Sequence, residues 1–260
     1  MIWLQTLMIA ARVNNRTNQA VDGGNMALQN LRALSEKVSI PLAKKLSWMS
    51  PLAITWLTLP VGLAAAALMM LAGRDSYGAL MLFGAAVLLI FASILDGFDG
   101  TLARQTGRVT RWGDYLDHTL DRVLDITWMV AIGYNMAWVG SATLAWSAAM
   151  ATMFGSYLGT QAQAVTGSRD YGGFSRADRL AVTGAGLVIA SLQILIGWND
   201  FGSLPTPFSH VNLNPMSAIL IISGIGGIWT FVKRFSQART SIQQLDLNDP
   251  VSQISAPSEE

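Results

Sequence analysis

The chain has 260 residues, 52% of them hydrophobic and 13% charged, with a net charge of +1. Soluble domains hold about 25% charged residues, so the composition points to lipid as the surrounding medium, and the charge balance gives no case for nucleic acid. Cysteine is absent and the two histidines, His118 and His210, lie far apart, which excludes a disulfide framework and a thiolate metal site and argues against a His-rich one.

Residues 1–33 read only as a leader: Met1–Ala11 is apolar but too short to span a bilayer, and it lacks the basic flank and cleavage site of a signal peptide. From Leu34 to Trp48, apolar residues at helical spacing are mixed with Glu36, Lys37, Lys44 and Lys45. Such a segment is expected to lie as an amphipathic helix in the headgroup plane, the plainer alternative being a solvated leader. Six spanning candidates follow at Pro51–Ala72, Gly78–Leu95, Tyr115–Trp138, Ser141–Val165, Leu180–Trp198 and Val211–Val232, each near the ~20 residues that a bilayer core requires. Gly97 and Gly100 are expected to mark the end of the second, and the third opens on an acidic face. The fourth is rich in small residues such as Ala145, Ala148, Ala149, Gly155 and Gly159, which favour close helix packing. Tryptophans such as Trp48, Trp56, Trp138, Trp198 and Trp229 sit near span ends and read as interface anchors. Residues 245–260 are polar and read as a disordered tail. The predicted fold is all-α: a polytopic integral membrane protein with six transmembrane helices over 51–234, preceded by the amphipathic interfacial helix.

Cytoplasmic loops hold the excess of Lys and Arg. With six spans, both termini and the loops after the second and fourth spans share one side, and 15 of the 17 basic residues fall there. Arg74 alone falls on the other side, and Arg122 lies inside the third span. Both termini, and the mouth of the acidic stretch, are therefore expected to face the cytoplasm from a plasma or cell membrane.

Six of the 16 acids, Asp96, Asp99, Asp114, Asp117, Asp121 and Asp125, fall within 30 residues flanked by apolar runs. Carboxylates at such depth cost roughly 2.5 kcal/mol or more each unless paired or metal-bound, which marks a functional site. Asp96 and Asp99 are three apart and Asp117 and Asp121 four apart, so each pair shares a helix face. Two helices that each offer two carboxylates can enclose divalent metal, and oxygen donors alone suit Mg²⁺ or Mn²⁺. Such ions bridge carboxylates to substrate phosphates, so a diphosphate is the natural ligand, with Arg104, Arg108 and Arg111 placed to neutralise its remaining charge. Glycine at 100 and 113 removes side chains where a flat group or backbone approaches closely.

Residues 96–121 read D-x-x-D-G-x-x-A-R-x8-G-x-x-x-D-x-x-x-D, which resembles, at every defined position, the signature of the CDP-alcohol phosphotransferase family; the six-span layout behind a surface helix is similar too. The resemblance implies that Asp96, Asp99, Asp117 and Asp121 bind metal, expected as two divalent ions, with Asp121 also the general base. It places Gly100, Ala103, Arg104 and Gly113 around the CDP moiety, with Thr110 where the family often has Ser. The implied reaction moves a phosphatidyl-type group, diacylglycerol or ether-lipid, from a CDP-linked lipid to a small alcohol and releases CMP. Because relatives pair, a homodimer is also implied.

For the acceptor, Ser156–Gln163 (S-Y-L-G-T-Q-A-Q) resembles a family stretch S-Y-x-K-A-R-A-E, but Gly159, Gln161 and Gln163 replace its charged residues. Ser175–Leu180 resembles the element E-R-x-E-R-L, with Arg176 and Arg179 on its two arginines, and Arg234 stands where such enzymes place a basic residue. Three cations facing the cytoplasm suit an anionic acceptor such as inositol phosphate or glycerol phosphate; the alternative is that they are topogenic charges at the membrane surface. Ser50–Thr55 is similar to a family P-N-x-x-T start except for Leu52 in place of Asn. Arg122 is expected to pair with Asp125 at i+3, and His118 to be a surface or pairing residue rather than a ligand. Two other classes stay open: an intramembrane Mg-dependent prenyltransferase, and a non-enzymatic cation transporter whose acids form an ion path.

Overall fold

The computed structural model describes residues 41, 44–167 and 172–248. The leader over 1–33, most of the interfacial helix over 34–48 and the tail beyond Asn248 lie outside the described residues. Six long helices carry the described chain: α1 (Pro51–Leu71), α2 (Ser76–Thr106), α3 (Arg111–Tyr134), α4 (Ala142–Thr166), α5 (Arg176–Ile196) and α6 (Pro215–Asn248). No strand occurs among the described residues beyond an isolated bridge between Ser203 and Asn212.

Local chemistry sets the ends. Pro51 opens α1, where its missing N–H costs nothing. Asp75, Thr110 and Ser141 cap α2, α3 and α4 by accepting from the backbone N–H of Gly78, Gly113 and Leu144. Ser175 and Asp178 form a reciprocal capping box that fixes the first turn of α5. Gly107, at φ 66°, closes α2 in the left-handed conformation that a non-glycine residue rarely adopts.

Two boundaries differ most from the sequence expectation. α2 does not stop at Gly97 and Gly100 but runs unbroken through both to Thr106. Glycine inside a helix costs only about 1 kcal/mol, and the real stop is Gly107. The connection to α3 is therefore only the four residues Gly107–Thr110, and it holds the two acidic turns close together. At the other end of the chain, α6 stays helical to Asn248, four residues into the segment read as tail.

The helices close a ring in the order α1, α2, α5, α6, α4, α3, with α3 returning to α1 and also touching α6. Its interior holds a large apolar cluster that includes Leu82, Leu89, Leu124, Trp128, Ile132, Leu187, Ile219 and Leu220, and Ile54, Phe98 and Leu102 form a smaller one. α4 and α6 meet most closely: a Cβ on Gly227 would lie 2.6 Å from the Ala151 carbonyl carbon, and one on Gly155 3.0 Å from the Gly227 oxygen. Outward, Leu57, Leu80, Ile90, Ile94, Leu192 and Ile225 are exposed. Four helices, α1, α2, α5 and α6, are long and apolar enough to cross a membrane. α3 and α4 have 24 and 25 residues, a length of about 36 Å at 1.5 Å per residue, but their charged and small polar residues keep them below that apolarity.

The end of the ring opposite the acids is stapled by one arginine. Arg74 makes a two-pronged pair with Asp200 (2.8 Å each), donates to the Ala137 carbonyl (2.8 Å), and lies 4.3 Å over the Trp138 ring. It thereby ties the α1–α2, α3–α4 and α5–α6 connections together. Burial alone would raise the Asp200 pKa, but the hydrogen bonds and charge of Arg74 hold it below the ordinary carboxylate value.

A folded-state pKa below the unfolded one contributes stability that is complete above the unfolded pKa, near 4 for Asp, and lost as pH falls through the folded value. Arg74→Ala is therefore expected to lower the thermal midpoint of detergent-solubilised protein at pH 7, with the deficit shrinking below about pH 4. A deficit independent of pH would assign the staple to Ala137 and Trp138 alone. Gly227→Val is expected to destabilise by at least the roughly 1–3 kcal/mol of an overpacked contact, read as a lowered midpoint in the same assay.

Candidate active site

α2 carries Asp96 and Asp99 past its apolar stretch, and α3 begins four residues after α2 ends, so their acids face one another across a short turn. Asp96, Asp117 and Asp121 converge: each can bring a carboxylate oxygen within 4.8 Å of the others. Asp99 does not join them. Three residues advance a helix by about 300°, and that rotation turns the buried Asp99 toward α1, where Thr55 donates a short hydrogen bond to its Oδ2. Of the four expected metal carboxylates, three form one group and the fourth stands beside it. Asp114, at the start of the stripe, is solvent-exposed.

The cluster lies between two clefts. The first, about 250 Å³, is lined by Gly100, Ala103, Arg104, Thr110 and Gly113, the five residues expected around the nucleotide, together with Asp99 and Asp117. Pro51, Leu52, Thr55, Arg108, Val109 and Asp114 complete it; Arg111 does not line it. Thr110 therefore does two things, lining the cleft and capping α3. Gly100 lies beneath Arg104, whose Nη1 would be 3.4 Å from a Cβ there.

The second cleft, about 300 Å³, opens on the other side of α3 and is lined by Arg176, Arg179 and Arg234 with Asp121, Arg122, Ser156, Phe174 and Thr230. Asp117 and Asp121, one turn apart on α3, thus belong to different clefts. Arg234 donates to the carbonyls of Gly155 (2.8 Å) and Gly172 (3.0 Å). Its guanidinium fills the space over Gly159, where a Cβ would sit 2.7 Å from Nη1. The loss of a long side chain at 159 and the position of Arg234 are one arrangement.

Arg176 is more than an acceptor-cleft residue. Its Nη1 is 2.7 Å from Asp96 Oδ2, its Nη2 2.7 Å from Asp121 Oδ1, and its Nε 3.7 Å from Asp125 Oδ1. Arg179 pairs with Asp125 Oδ2 at 2.5 Å, and Arg122 reaches the same oxygen at 3.2 Å and Ser156 Oγ at 2.8 Å. The expected Arg122–Asp125 pair is present, but as one part of a four-residue network. His118 lies 3.7 Å from Asp117 and 4.0 Å from Asp114, as a pairing residue. Sequence reasoning missed Thr55 as the partner of Asp99, although it quoted the segment that contains it. It also missed that Asp125 gathers three arginines, because only the α3–α5 contact reveals it.

The donor set fits a divalent ion. Three carboxylates whose oxygens can meet within 4.8 Å offer only hard ligands, and Asp96 and Asp121 each keep a second oxygen beyond the one that Arg176 bonds.

Comparison with known proteins bears on the family and the fold. The profile of the CDP-alcohol phosphatidyltransferase family matches residues 48–213. A phosphatidylinositol phosphate synthase of Cutibacterium acnes is 29% identical over 202 residues, 75% of this chain and 94% of that protein. An archaetidylinositol phosphate synthase of Pyrococcus horikoshii is 34% identical over 74 residues, 28% of this chain and 36% of the relative. The crystal structure of Mycobacterium tuberculosis phosphatidylinositol phosphate synthase with CDP-DAG bound superposes with a TM-score of 0.58 at 23% identity, covering 78% of this chain and 94% of the other. The same enzyme in complex with manganese and citrate gives 0.58 at 23% identity over 78% and 89%. At that identity the likeness speaks for the fold, while the profile match, over well more than half of the chain and all of the acidic signature, places this protein in the CDP-alcohol phosphatidyltransferase family of transferases.

Proposed function

We propose that the protein is a metal-dependent phospholipid synthase that moves a phosphatidyl-type group from a CDP-linked lipid to a phosphorylated polyol, with release of CMP. The observation that carries this reading is the pair of clefts on either side of one acidic cluster, one lined by small residues and the other by arginines. A relative was solved with CDP-DAG, and others are named for phosphatidylinositol phosphate synthesis, which supports a CDP-lipid donor and an inositol phosphate or glycerol phosphate acceptor. The prenyltransferase and cation-transporter readings draw no support from the family match.

In this reading Asp96, Asp117 and Asp121, with Asp99 beside them, hold Mg²⁺ or Mn²⁺, as one or two ions. The metal supplies charge stabilisation to the diphosphate and to the departing CMP. Arg104 and Arg108 line the donor cleft and neutralise what charge remains. The small surfaces of Gly100, Ala103 and Gly113 leave room for the nucleotide. Asp121 is the member of the triad that lines the arginine-rich cleft, so it is placed to take the proton of the attacking hydroxyl. Arg176 and Arg179 hold the acceptor's anion so that this hydroxyl points at the donor phosphorus.

All six helices cross the bilayer in this reading. α3 and α4 are long enough, and α3 turns its acids into the ring. The excess of Lys and Arg in the sequence supports an orientation with both clefts and both termini at the cytoplasmic face.

CMP release from CDP-lipid, measured with a panel of alcohols, is expected to need a phosphorylated acceptor and to stop with EDTA, returning on addition of Mn²⁺ or Mg²⁺. Turnover indifferent to chelation would sink the metal reading. Asp121→Asn is expected to lower kcat by about 10²–10⁴-fold, the range for loss of a general base, with membrane insertion retained. Wild-type turnover in that variant would remove Asp121 from the chemistry.

A further inference from the structure

Asp125 sits one turn beyond Asp121 on α3, is 4% exposed, and lines neither cleft. Its two oxygens nevertheless receive three arginines that do line the second cleft: Arg122 at 3.2 Å, Arg179 at 2.5 Å and the Nε edge of Arg176 at 3.7 Å. These come from two helices, so one carboxylate joins α3 to the first turn of α5. A buried carboxylate that accepts several charge-assisted bonds fixes both the position and the orientation of its donors. The guanidinium Nε atoms of Arg176 and Arg179 are buried without a hydrogen-bond partner. Asp125 therefore satisfies part of the cationic array, and donor capacity remains at the arginines that line the cleft.

We infer that Asp125 is a positioning residue: the shared counter-anion that aligns Arg122, Arg176 and Arg179 to receive the anionic group of the acceptor. The role rests on the acceptor reading above and goes beyond it, since Asp125 touches neither substrate. Removing its charge leaves the three guanidinium groups repelling one another around an uncharged amide. The cleft then loses its fixed donor geometry, while the nucleotide cleft on the far side of α3 keeps its lining. Arg176 retains two partners, Asp96 and Asp121, so the effect travels mainly through Arg179 and Arg122.

The test compares wild type with Asp125→Asn, Asp125→Glu, Arg179→Gln and the double variant Asp125→Asn/Arg179→Gln. CMP release is followed while CDP-lipid and then glycerol phosphate or inositol phosphate are varied, and Mn²⁺ binding is measured separately by electron paramagnetic resonance. Asp125→Asn is expected to raise the acceptor KM by about tenfold or more, with the donor KM and the Mn²⁺ affinity within about twofold of wild type. Asp125→Glu, which keeps the charge, is expected to recover most of that loss. The double variant is expected to be no worse than Arg179→Gln alone by more than about twofold, because residues acting as a unit are not additive. Fully multiplicative effects, a parallel rise in the donor KM, or an unchanged acceptor KM overturn the role of Asp125. So does loss of Mn²⁺ binding in a protein that still inserts, which would make it a metal-cluster residue. A wild-type protein that releases CMP only with neutral alcohols overturns the acceptor reading itself, and this role with it.

Discussion

Carboxylates gathered at the end of an apolar bundle repel one another unless cations stand between them, and here the cations come from α5. Arg176 spans Asp96 on α2 and Asp121 on α3, while Arg179 anchors Asp125. These pairs are partly or wholly buried, so breaking one leaves an uncompensated charge, a loss of roughly 3–5 kcal/mol. The constraint explains why α5 starts where it does. The Ser175–Asp178 capping box fixes the first turn, and both arginines lie within that turn, delivered inward at the level of the acids. A shift of one residue in the start of α5 would rotate them by about 100° away from their partners.

The ring closure serves the same geometry. α3 touches α1, α4 and α6 and supplies acids to both clefts, so a single helix separates the small-residue side from the arginine side. Asp117 and Asp121, one turn apart on the same face, each line a different cleft. Under the proposed function, reactants bound on either side are thereby brought to one cluster without sharing a binding surface. The Arg234 arrangement shows how the second cleft is adjusted. Its guanidinium lies over Gly159 and bonds two backbone carbonyls, so a cation carried by α6 occupies space that a side chain on α4 would otherwise take.

Much of this was legible from residues alone. Helical spacing places four of the six helices to within about four residues, while the second and sixth run well past their expected ends, and the spacing of Asp96, Asp117 and Asp121 announces their convergence. What was not legible has physical causes. Gly97 and Gly100 look like a helix end, but a helix ends where its last carbonyls find partners, and Gly107 provides that through bonds to Ala103 and Arg104. Asp99 carries the same chemistry as Asp96, yet its rotation toward Thr55 depends on where α1 packs. The Asp125 network joins residues about fifty positions apart, and no local pattern encodes that. α3 and α4 are less apolar than the other four helices, since α3 turns charged residues such as Asp121 and Asp125 inward and α4 buries small ones such as Thr152 and Gly155.

The unbroken course of α2 has a consequence for where a lipid and a water-soluble molecule can meet. From Ser76 to Leu95 the helix rises about 30 Å, the depth of a bilayer's hydrocarbon layer, and Asp96 is the next residue. In the proposed reading, acids at that height stand on the border between oil and headgroups, so a tailed donor can offer its diphosphate there without lifting its chains out of the leaflet, and a polar partner can arrive from solution without crossing any apolar barrier.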